Sequence, residues 1–319
     1  MIRVAEFRSS ENPGSPKWGR PGDQVMPKDP GNVFDGEVRV RYLSGEKYPT
    51  VYRPVEEAVA DSIAYNMEAA ARNPHVGYSQ NNGASPRTSF YEELVKAGGD
   101  ASKINALCNS DCSAGIAAVL KVAGVPVSAD MWTGNAPEQF EQTRALLAIS
   151  VDGLISAFEQ YLMRGDILYR PGHMCVVLDD GASAVPIPVL AQGDVWQRLA
   201  PGLTDGTELR AIPKGEAAAA YLPGADVDGR PWVITKYEGR LGWTSSKYLE
   251  PANAVVATSN VYVRRFPVPT SSVITVLAPN EELPATQVVY EDYRKIPWYQ
   301  VIVDYDAIGW VSGRYSYLD

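Results

Sequence analysis

Residues 109–124 read Asn-Ser-Asp-Cys-Ser-Ala-Gly-Ile-Ala-Ala-Val-Leu-Lys-Val-Ala-Gly. A polar turn gives way to a run of small and aliphatic residues, and Gly124 closes it. That pattern predicts a helix over about 112–123 with the glycine just past its end. Cys112 then opens the helix. Free N–H groups and aligned peptide dipoles at a helix start favour negative charge, so the position predicts a lowered thiol pKa. The backbone N–H of Cys112 is also placed to help hold an oxyanion. Ser113, Ala114 and Gly115 let the helix pack closely while leaving the thiol reachable. A free cysteine is often only a small buried hydrophobe, so the reading needs a second group.

The chain has 2 histidines in 319 residues, His75 and His173. His75 stands in a polar loop. His173 follows Arg164-Gly165-Asp166-Ile167-Leu168-Tyr169, a predicted strand, and opens a second strand, His173 to Leu178. There it can take a thiol proton and return it to a leaving amine. A cysteine opening a small-residue helix, followed some 60 residues later by Gly-His opening a strand, suits papain-type geometry. Asp180-Gly181 is a hairpin signal. Folding there puts Pro186, Ile187 and Pro188 opposite His173, and none offers a polar side chain. A backbone carbonyl, Gln192, or a carboxylate of Asp179-Asp180 remains to orient the imidazole.

Upstream, residues up to about 53 read as extended segments and turns, with alternation in Glu37-Val38-Arg39-Val40-Arg41. Helical patterns follow Pro54 and cover Ser89 to Gly98, about 136–148 and about 152–163. Beyond about 194 the chain reads as all-β, the Ala-rich stretch 215–222 excepted. Two copies of a β module repeat at an offset of about 66 residues. Each has Pro-Trp, a β run, Gly-Trp, and a tyrosine five residues on, Trp243 to Tyr248 and Trp310 to Tyr315. Trp243 and Trp310 recur at equivalent places and read as core; exposed aromatics elsewhere in the modules are better ligand candidates.

Net charge of −9 disfavours nucleic acid and anionic lipid as partners. No run is long enough for membrane insertion, and the first residues lack an apolar secretory signal. Three cysteines, Cys108, Cys112 and Cys175, make no disulfide framework. With 2 histidines and no paired-ligand motif, a catalytic zinc is disfavoured and no metal or other cofactor is expected. Cys108 and Cys175 read as packed thiols.

The stretches 111–115, 164–169 and 172–178 together resemble the NlpC-type papain-like peptidoglycan peptidases. Residues 19–25, 36–43, 75–82 and 108–115 resemble phage and prophage endolysins within that group, and the C-terminal repeats resemble bacterial SH3-type modules. The resemblance implies an α+β papain-like catalytic domain over 1–193, then two all-β SH3-like barrels at 194–251 and 252–319. It implies hydrolysis of an amide in the peptidoglycan stem peptide or cross-bridge, with Cys112 as nucleophile and His173 as base. Tyr78 and Asp111 match positions that line the substrate site, and Ser113 joins them. It implies synthesis in the cytoplasm and action at the cell wall after release. The competing readings are a wall-binding protein with an inactive catalytic domain, a virion tail lysin, and a cysteine acyltransferase.

Overall fold

The computed structural model describes residues 1–8, 33–34, 36–80, 86–304 and 307–319. The stretch 19–25, part of the resemblance, lies outside them. The chain divides into two compact units, Met1–Gly181 and Ala182–Asp319.

The first unit contains β1 (Arg3–Phe7), β2 (Val38–Tyr42), β3 (Thr50–Pro54), α1 (Glu57–Arg72), β4 (Val76–Tyr78), α2 (Ser89–Lys96), β5 (Cys108–Ser110) and α3 (Cys112–Val122). There follow α4 (Ala136–Thr143), β6 (Leu146–Ser150), α5 (Ile155–Phe158), β7 (Ile167–Arg170) and β8 (His173–Val177). Six strands form one antiparallel sheet in the order β2-β1-β8-β7-β3-β6. The register Val4↔Val177 and Ala5↔Val176 decides the chemistry of its two faces. Side chains alternate along a strand, so Ala5, Phe7, Met174 and Val176 share one face with the core residues Ile116 and Leu120 of α3. Glu6, His173 and Cys175 share the other. Helix α3 lies close to β1 because Gly115 carries no side chain; a Cβ there would meet the Phe7 ring at 2.3 Å.

β4 and β5 make a separate parallel pair, Val76↔Cys108 through Tyr78↔Ser110, with α2 between them in sequence. The α2 segment therefore does not separate Tyr78 from the start of α3; the crossover returns the chain alongside it.

In the second unit, β9 (Ile187–Ala191), β10 (Val195–Arg198), β11 (Glu208–Ile212), β12 (Ala217–Val227), β13 (Arg230–Tyr237), β14 (Arg240–Ser245) and β15 (Leu249–Pro251) form a seven-stranded sheet ordered β11-β10-β14-β13-β12-β9-β15. Then β16 (Ala254–Ala257), β17 (Val261–Arg264), β18 (Val273–Leu277), β19 (Glu282–Glu291), β20 (Pro297–Asp304), β21 (Ala307–Ser312) and β22 (Ser316–Leu318) repeat the arrangement as β18-β17-β21-β20-β19-β16-β22. Even the irregularities recur: the register shifts at Gln197/Arg198 and at Val263/Arg264, just where Arg198 pairs Trp243 and Arg264 pairs Trp310. The sequence repeat is thus a repeat of topology.

Several expectations differ from the structure. The first unit ends at Gly181 rather than 193, because β9 pairs with β12 and β15 of the first module. Asp180-Gly181 makes no hairpin back onto β8: the Gly181 N–H donates to Leu162 and Asp180 accepts from the Arg164 N–H, so the chain is tied to residues 162–164 and leaves the sheet. The helical pattern over 136–148 stops at Thr143, where its Oγ1 bonds the Phe140 carbonyl and Arg144 turns left-handed; Leu146–Ser150 then pairs with β3. The pattern at 152–163 shrinks to α5 and one 3-10 turn. The Ala-rich stretch 215–222 runs into β12, where pairing on both sides with β9 and β13 overrides helix propensity. Trp243 is buried as expected, whereas Trp310 is only half-buried, set edge-on to Tyr290.

Candidate active site

Cys112 stands at the start of α3. Asp111 is the N-cap, with its Oδ1 accepting from the N–H groups of Ser113 and Ala114 and from the Ser113 hydroxyl. Its other oxygen pairs with the guanidinium of Arg87, itself buried. The same guanidinium donates to the carbonyls of Asp130 (2.7 Å) and Met131 (2.8 Å). Arg87 therefore ties the cap of the nucleophile helix to the loop before α4. Sequence reasoning missed it, since no spacing rule links it to Cys112.

Cys112 is 8% exposed. Burial and the neighbouring Asp111 carboxylate raise its thiol pKa to about 11, against three backbone N–H groups, those of Met174, Ser113 and Cys112, that favour the thiolate. The expected lowering is corrected: the helix start does supply donors, but desolvation of the anion outweighs them. The resting group is a thiol. The Met174 contact brings the sulfur to the residue immediately after His173. Tyr78 is buried, with its hydroxyl pKa raised by burial and then by the charges of Cys112 and Asp111. Ser113 is buried and its hydroxyl is held by Asp111. Both oxygens of Asp111 are thus engaged by the protein itself.

His173 is the first residue of β8. His173 Nε2 is 3.0 Å from Glu6 Oε2. Glu6, 3% exposed, also accepts from Arg39 (2.7 Å) and pairs with Arg41 (2.9 Å). Burial alone would raise its pKa; the His173 hydrogen bond and the two guanidinia bring it down to about 2. A permanent carboxylate on one ring nitrogen leaves the other free for chemistry and fixes the ring's orientation. Tyr48 packs against the imidazole at 6.5 Å between centroids and lies 3.6 Å from the buried Cys175 sulfur. Burial pushes the Cys175 thiol up to about 12, as it does that of Cys108.

The polar partner of His173 stands not on the strand that follows it but on β1, which pairs with β8 from the start of the chain. Gln192 belongs to the second unit, Asp179 holds Arg3 (2.6 Å), and Asp180 holds the Arg164 N–H. A signal was present: Glu6 interrupts an apolar strand, and Arg39 and Arg41 alternate on a second one. His75 sits at the far end of β4 from Tyr78, its Nδ1 against Asn73. Among the described residues no three of His, Cys, Asp and Glu gather as a metal ligand set, and no helix is long and apolar enough to cross a membrane.

Comparison with known protein families agrees with this architecture. An endolysin-like domain matches residues 15–184, more than half of the chain, and a bacterial SH3 domain matches residues 259–317. The chain belongs to the endolysin-like domain family. Its second C-terminal module is a bacterial SH3 domain, and the first shares that module's strand order. No curated protein matches. Among solved structures, the chain is similar to NlpC2 from Trichomonas vaginalis (8% identity, 41% of this chain and 48% of that one, TM-score 0.23). It is similar also to Ly7917 (13% identity, 41% and 63%, TM-score 0.19) and to Ly7917 with the hydrolysing product of MDP (15%, 41% and 61%, TM-score 0.18). The chain spans about half the length of the first of these and less than two thirds of the others.

Proposed function

We propose that the protein is a cysteine-dependent hydrolase of a peptidoglycan amide, with a papain-like arrangement of Cys112, His173 and Glu6. The observation that carries this reading is the Glu6–His173 hydrogen bond, one residue along β8 from the N–H that meets the Cys112 sulfur. Since the thiol rests protonated, His173 removes its proton as the sulfur attacks the carbonyl. The C–N bond breaks as His173 protonates the departing amine, leaving an acyl-enzyme. Water, deprotonated by the same imidazole, cleaves the thioester and restores the thiol. The N–H groups at the α3 start stabilise the oxyanion. Tyr78 contacts substrate. Asp111 and Ser113 act one step back, holding the helix start.

The C-terminal modules bind the wall. In the second, a cleft of about 390 Å³ is lined by Tyr262, Arg264, Arg314 and Tyr315, with Arg264 stacked on Tyr262 and Arg314 on Tyr315. The enzyme works on the cell wall after release from the cytoplasm of a host, as phage and prophage lysins do. Glu6 supplies the group that orients the His173 ring, which favours an active enzyme over a wall-binding protein with an inactive catalytic domain.

The test is mass spectrometry of purified peptidoglycan digested by the wild type and by Cys112→Ala. New soluble fragments from the wild type alone support the proposal, and their masses name the bond. Fragments from both variants, or from neither across several wall types, overturn it.

A further inference from the structure

The loop between α3 and α4 holds a large apolar side chain that packs against no core: Trp132 is 57% exposed. Isolated exposed apolar residues are ordinary; what distinguishes this one is how firmly the backbone of its loop is held. The Trp132 N–H donates to Asn135 Oδ1 (2.9 Å), and its carbonyl accepts from the N–H groups of Asn135 and Ala136. Its two flanking segments are tied to opposite sides of the active site. Arg87, paired with Asp111 beside the nucleophile, holds the carbonyls of Asp130 and Met131. Tyr169, which pairs with Met174 next to His173, donates its hydroxyl to the Thr133 carbonyl at 3.0 Å. The indole lies directly on Gly134, where a Cβ would meet ring carbons at 2.2 Å. The absence of a side chain at 134 lets the outer ring carbons lie close over the backbone while solvent reaches the rest of the indole.

An exposed indole on a loop whose backbone is fixed by hydrogen bonds on both sides loses little freedom when a ring stacks on it. Its exposed π-face is electron-rich and attracts the weakly positive axial C–H bonds of a pyranose. Beside it the Asp130 carboxylate is 77% exposed, and its Oδ1 is held by Arg87 at 3.2 Å. A fixed carboxylate accepts hydroxyl or amide hydrogens and disfavours an anionic ligand. We propose that Trp132, with Asp130 at its edge, is a glycan subsite on the rim of the active site, stacking an uncharged N-acetylhexosamine ring while the attached peptide reaches Cys112. The inference rests on the cell-wall reading for its choice of polymer.

The experiment uses the full chain as Cys112→Ala, with 5-fluorotryptophan at its 7 tryptophan positions. The fluorine resonance of Trp132 is the one lost in Trp132→Phe, and the others, unchanged, show that this variant is folded. Titration with an N-acetylglucosamine tetramer shifts the Trp132 resonance to saturation, whereas a sugar-free stem peptide leaves it in place. A resonance unmoved by the tetramer up to its solubility, or moved as far by the peptide, overturns the subsite. Because no turnover is involved, this failure is distinct from failure of the hydrolase reading, which shows as a wild type that releases no fragments.

Discussion

The two sides of the candidate site, around Cys112 and around His173, use the same materials to different ends. Each has a buried carboxylate neutralised by arginine: Asp111 by Arg87, and Glu6 by Arg39 and Arg41. Asp111 gives one oxygen to the backbone of α3 and the other to Arg87, and its charge opposes ionisation of Cys112. Glu6 gives an oxygen directly to His173. One carboxylate fixes the place of a helix and the other the orientation of a ring. Proximity to a reactive group therefore does not define a role; the atom that receives the hydrogen bond does.

The comparison can be broken at several points. The largest effect is expected from Cys112→Ala, which should lower amide hydrolysis by at least about 1000-fold while the melting temperature stays near that of the wild type. An activity assay beside a thermal melt separates chemistry from folding. Next, the raised thiol makes iodoacetamide labelling of Cys112 climb about tenfold per pH unit between roughly pH 7 and 10. Peptide mapping reads the site, and a plateau already reached at neutral pH would instead show a preformed thiolate–imidazolium pair.

Glu6→Gln tests the base side. Turnover should fall about 100-fold, in kcat rather than KM, because the ring loses the anion that holds it. Glu6 also makes a pH signature. Its folded pKa, about 2, lies below the ordinary 4.5, so it stabilises the fold above the ordinary value, and that stability is lost as pH falls from about 4.5 through about 2. The difference corresponds to about 3 kcal/mol. Urea unfolding at the two ends of that window should show the loss in the wild type and a flatter profile in Glu6→Gln. The smallest effect is expected from Arg87→Lys. An ammonium cannot span Asp111 and two carbonyls together, so stability should drop by about 2 kcal/mol, measured by denaturant midpoint, with the α3 cap still formed.

Much of this was legible in local pattern. Small residues after Asp111 and glycine at 124 define α3, and alternation around His173 defines β8. The Pro-Trp and Gly-Trp repeats reveal two copies of one module. What escaped was long-range pairing. Register within a sheet is set by burial on both faces, and nothing near His173 says that its neighbour is a strand more than 160 residues earlier; the hydrogen bond to Glu6 spans 167 positions. The hairpin read at Asp180-Gly181 failed for the same reason, since its local turn chemistry was answered by the backbone at 162–164 instead of by a returning strand. The thiol pKa was misjudged because sequence shows the helix start but not the depth at which it is buried.

The central claim is covalent catalysis by Cys112, and trapping the intermediate tests it most directly. Wild-type protein is mixed with a soluble peptidoglycan fragment, quenched in acid during turnover, digested and mapped by mass spectrometry. The account predicts an acyl adduct on the peptide containing Cys112, absent from Cys112→Ala and accumulating no faster in Glu6→Gln than its reduced turnover allows. Continued release of product by Cys112→Ala, with no adduct on the wild-type cysteine, would contradict it.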